Sequence, residues 1–161
     1  MPFIDEVLEN VGGQETYLFT NGFSGYHQIK IVPEDQSKTT FTIEWSCFQY
    51  KVMPFGLNNA PTIFSKVVVV DFKEFIHMIL EVYFDDWTIF GLVKNHVFSL
   101  CLTLDTFQKY HISLDLNKCI FCVPYGILLG HVVCKQGLMV DLAKIAVIIN
   151  LGPLRNVKHL V

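Results

Sequence analysis

The ten residues from Glu81 to Phe90, EVYFDDWTIF, place two adjacent acidic side chains inside an otherwise apolar run. The apolar residues on both sides favour strands, and Asp is a common turn residue. The segment therefore predicts two strands joined by a two-residue turn at Asp85 and Asp86. Burying a carboxylate is costly unless a partner compensates its charge. A hairpin of this kind needs something that compensates two carboxylates.

Two interpretations of the acidic pair follow from the residues alone. In the first, Asp85 and Asp86 form a solvated turn at the edge of a sheet, where water compensates both charges. In the second, they bind a divalent cation such as Mg²⁺, which prefers oxygen ligands and is commonly held by one or two protein carboxylates. Such a cation would offset the repulsion between the two aspartates. The segment by itself leaves both interpretations open.

Hydrophobic periodicity predicts four helices, with extended segments between them. The expected helices cover residues 4–11, 62–79 and 97–108, with a last helix that is capped by Asp141 and ends at Gly152-Pro153. The expected strands outside the acidic hairpin are Thr16–Thr20, Tyr26–Val32, Thr39–Ile43, Cys47–Val52, Ile112–Leu116, Cys119–Val123, Ile127–Cys134 and Leu138–Val140. Because hairpins rather than regular β-α-β units connect the strands, we expect an α+β fold with helices packed on one face of a largely antiparallel sheet.

Composition narrows the class of protein. The 161 residues fit one domain or a fragment, and 52% hydrophobic against 17% charged residues argue against intrinsic disorder. Residues 1–20 lack the apolar run of a signal peptide, and residues 63–92 carry too many charges to cross a bilayer. We therefore expect an intracellular protein, cytoplasmic or nuclear, with no membrane partner. The net charge of −3 argues against strong electrostatic attraction to nucleic acid.

The five cysteines are an odd number without a disulfide framework, so we expect reduced and buried thiols. Cys119 and Cys122 have C-x-x-C spacing, which also occurs in zinc sites. No second pair follows at ligand spacing, and in an alternating strand the two side chains would point to opposite faces. Core packing is therefore the favoured interpretation of this pair.

Several blocks along the chain resemble one family when taken in order. They are FIDEVL (3–8), FSGYHQI (23–29), KTTFT (38–42), FQY (48–50), MPFGLNNAP (53–61), YFDD (83–86), NKCIF (117–121) and LGHV (129–132). Together they resemble the reverse transcriptases of gypsy-type long-terminal-repeat retrotransposons, over essentially the whole chain. The block MPFGLNNAP followed by YFDD is the most specific part of this resemblance.

The resemblance implies a fragment of a right-hand polymerase: partial fingers and palm in residues 1–60, palm in 61–125, and the end of the palm with the start of the thumb in 126–161. The rest of the fingers and thumb and the ribonuclease H segment are expected to lie outside this chain. The implied reaction is nucleotidyl transfer from deoxynucleoside triphosphates to a primer on an RNA or DNA template. Two Mg²⁺ ions would assist it. Oligomeric state does not follow from the resemblance.

Three carboxylates organise the metal ions in this family, and the resemblance assigns two of these positions to Asp85 and Asp86. The third position, three residues before Ser24-Gly25-Tyr26, is Asn21. Asn is nearly isosteric with Asp and keeps one carbonyl oxygen, but it lacks the negative charge. Changes behind metal ligands already cost about 10–100-fold in affinity or activity. Loss of a charged ligand should cost more, so we expect impaired catalysis.

The resemblance also assigns roles to residues outside the acidic pair. Tyr26 matches the aromatic residue that packs under the incoming sugar, while Phe55 and Gly56 match the loop that contacts nucleotide and template. Gly130 matches the turn that holds the primer end. Lys118 is either a proton donor to the leaving pyrophosphate or, as the more common case, a surface lysine.

Three hypotheses about function follow. The chain is an impaired reverse transcriptase fragment, an active polymerase segment of a longer polyprotein, or a non-catalytic nucleic-acid-binding module. The sequence also predicts that, without metal, repulsion between Asp85 and Asp86 makes one of them take up a proton more readily than a free Asp.

Overall fold

A computed structural model describes residues 3–150. Within this range the α-helices are α1 (Ile4–Val11), α2 (Pro33–Gln36), α3 (Ala60–Phe72), α4 (Val93–Lys109) and α5 (Leu142–Asn150). The strands are β1 (Thr16–Asn21), β2 (Phe41–Ile43), β3 (Ser46–Phe48), β4 (Leu80–Tyr83), β5 (Asp86–Gly91), β6 (Ile120–Val123), β7 (Tyr125–Leu128), β8 (His131–Cys134) and β9 (Gly137–Val140). Hairpins connect β2 to β3, β4 to β5, and β7 through β9.

The central sheet has four antiparallel strands in the order β4-β5-β1-β6. β5 therefore has a strand partner on both sides, and β1 lies beside it although the two strands are about 70 residues apart in sequence. Their register pairs Leu18 with Ile89 in the middle of the sheet and Asn21 with Asp86 at its end. The fold thus brings the acidic hairpin next to the last residue of β1.

Neighbouring side chains of β1 point to opposite faces of the sheet, and each face has its own core. Leu18 packs in a cluster with residues of α3 and α4, among them Phe64, Phe72 and Phe107. Tyr17 packs in a second cluster with α1 and with the sheet formed by β7, β8 and β9. The long helices α3 and α4 lie on one face, as expected, while a short helix and a small sheet cover part of the other.

The prediction of a strand at Tyr26–Val32 is wrong. Residues Gly25–Gln28 form a 3₁₀ turn instead. The ring of Tyr26 packs edge-on against Phe64 of α3, with ring centroids 5.8 Å apart. Tertiary packing of an aromatic side chain has therefore overridden the local preference of β-forming residues for extended structure.

Helix α3 ends at Phe72 rather than near residue 79. The backbone then makes a tight turn in which the amides of Phe75 and Ile76 both donate to the carbonyl of Phe72. His77 follows with a positive φ of 65°, and β4 begins at Leu80. Apolar residues in this turn pack against the core beside α3, so their spacing extended the helical pattern beyond the helix itself.

The prediction of one strand at Ile127–Cys134 is wrong, because a turn at Leu129 and Gly130 divides it into β7 and β8. Other boundaries differ by less. β3 ends at Phe48, and the expected strand Ile112–Leu116 makes only an isolated bridge between Leu114 and Gly22. Asp141 caps α5 as expected, since its Oδ1 accepts from the amide of Ala143 at 2.9 Å. The expected end of that helix at Gly152-Pro153 lies outside the described residues.

The expectation of buried cysteines is confirmed for Cys134 alone. Cys47, Cys101 and Cys122 are exposed, and Cys119 is half-buried. Cys47 lies in β3 and Cys122 lies in β6, and both strands present most of their side chains to solvent, which explains the exposure of these two thiols. Among the helices of residues 3–150, none combines the length and the apolar character needed to cross a bilayer.

Candidate active site

The hairpin between β4 and β5 carries the two aspartates, but its turn lies one residue earlier than predicted. Phe84 and Asp85 form the turn, and Asp86 is the first residue of β5, where it pairs with Tyr83. The register with β1 explains the shift, since the pairing of Asp86 with Asn21 extends the ladder by one residue. One carboxylate is therefore carried by the turn and the other by a strand.

Two residues near Asp85 other than glycine have a positive φ. Phe84 precedes it in the turn with φ of 53°, and Ser24 in the facing loop has φ of 47°. A left-handed conformation of a residue other than Gly costs about 1–3 kcal/mol and is concentrated at functional sites. Core packing that fixes both segments must supply this energy, which makes the position of Asp85 a feature enforced by the fold.

Asp85 is half-buried, and its Oδ1 has no hydrogen-bond partner among the described residues. A Cβ atom added to Gly25 would lie 2.9 Å from this oxygen and 3.0 Å from the ring of Phe64, so only a glycine lets the loop pack this close to the carboxylate. Burial raises the pKa of Asp85, the neighbouring charge of Asp86 raises it further, and Lys118 opposes the shift. The predicted uptake of a proton is confirmed in direction, but burial rather than repulsion is its main cause.

Asn21, which the family resemblance predicts at the third position of the site, contacts two charged side chains, Asp86 and Lys118. Its amide nitrogen donates to Asp86 Oδ1 at 3.0 Å, and its carbonyl oxygen accepts from Lys118 Nζ at 3.4 Å. Lys118 ends a 3₁₀ turn, Leu116–Lys118, that precedes β6. Sequence reasoning placed Asn21 in the site but missed its contact with a lysine 97 residues away.

The side chains of Asp85, Asp86 and Asn21 offer part of what a magnesium site requires. Two carboxylates supply oxygen ligands, and the Oδ1 of Asp85, which lacks a hydrogen-bond partner among the described residues, suits a hard cation. A third acidic ligand is lacking: within residues 3–150 no group of three or more His, Cys, Asp or Glu side chains could hold a metal ion. The residues therefore fit the oxygen chemistry of Mg²⁺ but carry one negative charge fewer than a three-carboxylate site.

Tyr26 and Phe55 lie in contact beside the acidic hairpin. Their ring centroids are 5.1 Å apart, and Phe55 also meets His27 edge-on at 5.2 Å. Burial raises the pKa of the Tyr26 hydroxyl, and the charge of Asp85 adds to the shift, so the two side chains are close enough to interact. Gly56 follows Phe55 with φ of 96° and open space around its Cα. The structure thus brings the predicted nucleotide-binding residues together next to Asp85.

Gly130 lies with Leu129 in the two-residue turn between β7 and β8, where both residues have positive φ. A Cβ at Gly130 would overlap the ammonium group of Lys144, which lies directly over the turn. Leu129 lines a cavity of about 220 Å³ that Asn21 and Asp86 also line. The predicted primer-binding turn therefore contributes Leu129 to the cavity that Asn21 and Asp86 line, although neither Gly130 nor Asp85 lines it.

A second carboxylate cluster lies further along β4 and was not predicted. Glu81 is 1% exposed, and its Oε1 accepts from Asn10 Nδ2 at 2.9 Å and lies 2.7 Å from His77 Nδ1. Oε2 has no partner among the described residues. Burial raises the pKa of Glu81 even though His77 and Asn10 act in the opposite direction. The sequence offered one signal for this cluster, namely an acidic residue, Glu81, at a core-facing position of a strand.

A family model described as reverse transcriptase (RNA-dependent DNA polymerase) matches residues 3–145. The chain therefore belongs to the reverse transcriptase family, as its motifs predicted. Two curated relatives are retrovirus-related Pol polyproteins of Drosophila melanogaster. The chain is 30% identical to that from transposon opus over 99% of its own length and 16% of the relative's. It is 31% identical to that from transposon gypsy over 92% of its length and 14% of the relative's. The chain thus resembles the reverse transcriptase segment of retrotransposon Pol polyproteins and spans a small part of these relatives.

Solved structures confirm the expected fold class. The foamy viral protease-reverse transcriptase in complex with dsDNA superposes with a TM-score of 0.89 at 22% identity, covering 99% of this chain and 33% of that one. The same protein in complex with an RNA/DNA hybrid gives a TM-score of 0.83 at 22% identity, covering 96% of this chain and 21% of that one. The α+β architecture of the chain is therefore that of a polymerase palm.

Proposed function

We propose that this chain is the palm of an RNA-directed DNA polymerase whose nucleotidyl transfer is impaired. Residues 1–60 would supply partial fingers and palm, 61–125 the palm, and 126–161 the end of the palm and the start of the thumb. The description of the matching family supports the reaction. The hydrogen bond from Asn21 to Asp86, made where a third carboxylate would face the metal ions, is the observation that carries the impairment.

Asp85 and Asp86 are the residues that would hold the metal in this assignment. Mg²⁺ held by them would supply stabilisation of the negative charge that develops on the attacking primer oxygen and the leaving pyrophosphate oxygen. The chain's own part is to present two carboxylates at the edge of the sheet and to fix Asp85 through the turn at Phe84. Asn21 contributes a neutral amide, so the site attracts cations less strongly than three carboxylates would.

We assign the incoming deoxynucleoside triphosphate to the side of the site where Tyr26 and Phe55 pack together. Gly56 would allow the loop backbone to approach nucleotide or template closely. The turn at Gly130 would contact the primer. Structural neighbours solved with dsDNA and with an RNA/DNA hybrid support a nucleic-acid partner of this type. Because these substrates occur inside cells, we infer an intracellular place of action.

A primer-extension assay tests the proposal. The chain, its Asn21→Asp variant and an Asp85→Asn/Asp86→Asn control would each receive an RNA template with a DNA primer, in Mg²⁺ and separately in Mn²⁺. We expect little extension by the chain itself. Changes behind metal ligands alter activity about 10–100-fold, and a change in a ligand should matter more. We therefore expect Asn21→Asp to raise the rate of primer extension by more than this factor over the unmodified chain. The Asp85→Asn/Asp86→Asn control should be inactive.

Two results would contradict the proposal. Extension by the unmodified chain as fast as by Asn21→Asp would show that the amide does not impair the site. This result would favour the second hypothesis, an active segment of a longer polyprotein. If Asn21→Asp binds Mg²⁺ no more tightly than the unmodified chain, the missing carboxylate is not the main defect.

One surface favours the alternative of a non-catalytic nucleic-acid-binding module. The hairpin of β2 and β3 exposes aromatic rings, with Phe41 stacked on Phe48 at 5.9 Å and close to Tyr50 at 5.0 Å. Trp45 in its turn is 85% exposed. Aromatic platforms of this kind stack on bases of single strands. Tight, salt-sensitive binding to single-stranded RNA, abolished by Trp45→Ala and unaccompanied by extension, would support this alternative.

A further inference from the structure

The amide group of Asn21 can satisfy both of its neighbours in one orientation only. A carboxylate accepts hydrogen bonds, and an ammonium group donates them. The nitrogen must therefore face Asp86 and the oxygen must face Lys118, which is the arrangement at 3.0 Å and 3.4 Å. Turning the amide by half a rotation would place its oxygen against a carboxylate and its N–H groups against an ammonium. Both contacts would be repulsive, so Lys118 and Asp86 together fix the amide.

The backbone keeps Lys118 and Asn21 side by side. The amide of Asp115 donates to the backbone carbonyl of Asn21 at 2.9 Å, and the amide of Lys118 donates to the carbonyl of Asp115 at 2.9 Å. Thr20, the neighbour of Asn21 in β1, lies 2.8 Å from Cys119, the residue after Lys118. The 3₁₀ turn that carries the lysine is thereby attached to the end of β1. This attachment holds the backbone of Lys118 within reach of the amide, and its exposed ammonium group also lies 3.9 Å from Asp115 Oδ2.

The fixed orientation has a consequence for metal binding. A ligand must offer a lone pair, and the amide oxygen is the only metal ligand that Asn can supply. In this chain that oxygen faces Lys118, while an N–H group faces Asp86, one of the two candidate metal-binding carboxylates. Asn21 therefore acts as a hydrogen-bond donor to a metal-binding carboxylate and supplies no ligand of its own.

We propose that Lys118 is a positioning residue that holds the Asn21 amide with its oxygen away from the metal site, which leaves a site for a single divalent cation on Asp85 and Asp86. This inference rests on the proposed function, because it takes the acidic hairpin as a metal site. It goes further in assigning the weakness of that site to a contact between two residues as well as to one missing charge. Removing the lysine should then release the amide oxygen to the cation.

A double-mutant cycle measures this coupling. Mn²⁺ binding to the 161-residue chain would be followed by the electron paramagnetic resonance of free Mn²⁺, for the unmodified chain, Lys118→Met, Asn21→Ala and the double variant. Lys118→Met removes a positive charge in both backgrounds, but it can release the amide oxygen only where Asn21 is present. We expect it to tighten Mn²⁺ binding about tenfold more in the Asn21 background than in the Asn21→Ala background.

Two further variants distinguish the effect of the Lys118–Asn21 contact on Mn²⁺ affinity from the effect of net charge. Lys118→Arg keeps a cationic donor and should bind Mn²⁺ like the unmodified chain. Lys135→Met removes the same charge at the other end of β1, where Lys135 pairs with Glu15 at 3.0 Å. Because β1 has six residues, this control lies roughly 20 Å from the site and should leave Mn²⁺ affinity unchanged.

The outcomes distinguish the inference from the proposed function. Equal tightening by Lys118→Met in both backgrounds, or none in either, would overturn the positioning role while leaving the metal site in place. Absence of Mn²⁺ binding by every variant, Asn21→Asp included, would overturn the metal site and the positioning role together. A stoichiometry of one Mn²⁺ in the unmodified chain is expected, and two bound ions would contradict the single-cation site.

Discussion

The hairpin of β4 and β5 carries two carboxylate clusters that meet the cost of burial in different ways. At Glu81 the carboxylate is 1% exposed, and one oxygen is contacted by both Asn10 and His77. At the turn, Asp85 is only half-buried, yet its Oδ1 has no partner among the described residues. Each cluster contains an asparagine amide and a basic side chain. Both carboxylates leave one buried oxygen without a partner among the described residues, Oε2 of Glu81 and Oδ1 of Asp85, but the chain supplies two partners to the other oxygen of Glu81.

The difference separates a structural carboxylate from one placed for a ligand. A buried polar group is retained without strain when its partners come from the fold, as for one oxygen of Glu81. An unpartnered oxygen on a half-buried carboxylate next to strained backbone, as at Asp85, is better explained by a cation. Mutations that remove the two carboxylates should therefore change stability in opposite directions.

The largest effect is expected at Glu81. Glu81→Ala should lower the free energy of unfolding by about 2–4 kcal/mol, because it leaves a cavity in the core and removes the acceptor of Asn10. Urea denaturation at pH 7 measures the change. Glu81→Gln keeps the volume and one acceptor oxygen and should lose less. An unchanged midpoint for Glu81→Ala would show that this carboxylate has no structural role.

His96 is a buried basic side chain, so it shows what burial costs a group that becomes positively charged. His96 in α4 is 2% exposed, and neither ring nitrogen has a partner among the described residues. Burial lowers its pKa below the ordinary value of 6.5. The neutral ring is therefore favoured in the folded state, and stability present above pH 6.5 is lost as the pH falls through the folded pKa.

His96→Leu should accordingly raise the free energy of unfolding by about 1–3 kcal/mol, because it removes buried polar atoms that lack partners. It should also flatten the fall in stability below pH 6.5. Thermal denaturation from pH 5 to pH 8 would measure both effects. If the variant lost stability while keeping the same pH dependence, the ring would have a partner that offsets its burial.

A smaller gain is expected at the turn. Asp85→Asn should raise the free energy of unfolding at pH 7, without metal, by about 1 kcal/mol, because the buried group loses its charge. The sign of the pH dependence follows from the raised pKa. Protonation stabilises the fold fully below the ordinary value of 3.8, and this stability is lost as the pH rises through the folded pKa. Asp85→Asn should abolish this decrease in the free energy of unfolding at rising pH. Urea titrations of both proteins between pH 4 and pH 7 would measure the difference.

The smallest effect is expected at the far end of β1. Glu15 and Lys135 form an ion pair at 3.0 Å whose side chains are 32% and 67% exposed. Exposed pairs of this kind contribute little, because water screens both charges. Lys135→Met should leave the urea midpoint within experimental error. A shift as large as that of Glu81→Ala would contradict the contrast between buried and exposed carboxylates.

The sequence predicted the parts of the fold whose signals are local. Helical spacing located α1 and α4, and the acidic pair located the β4–β5 hairpin to within one residue. The strand at Tyr26–Val32 was wrong because Tyr26 packs on Phe64, a contact that no local pattern encodes. The site was predicted as a set of positions, but the contact between Asn21 and Lys118 joins residues 97 apart. Such contacts depend on how β1 and β6 pair, which periodicity does not specify.

The register of β1 against β5 has a consequence for how this site can change over generations. Leu18 and Ile89 face each other in the buried centre of the sheet, and they fix the alignment that sets Asn21 beside Asp86. A slip by one residue would turn the core side chains outward, so the fold preserves this alignment whatever residue occupies position 21. Codons for Asn and Asp differ by one nucleotide. A single point mutation could therefore return the third carboxylate to a position that the core has kept in place.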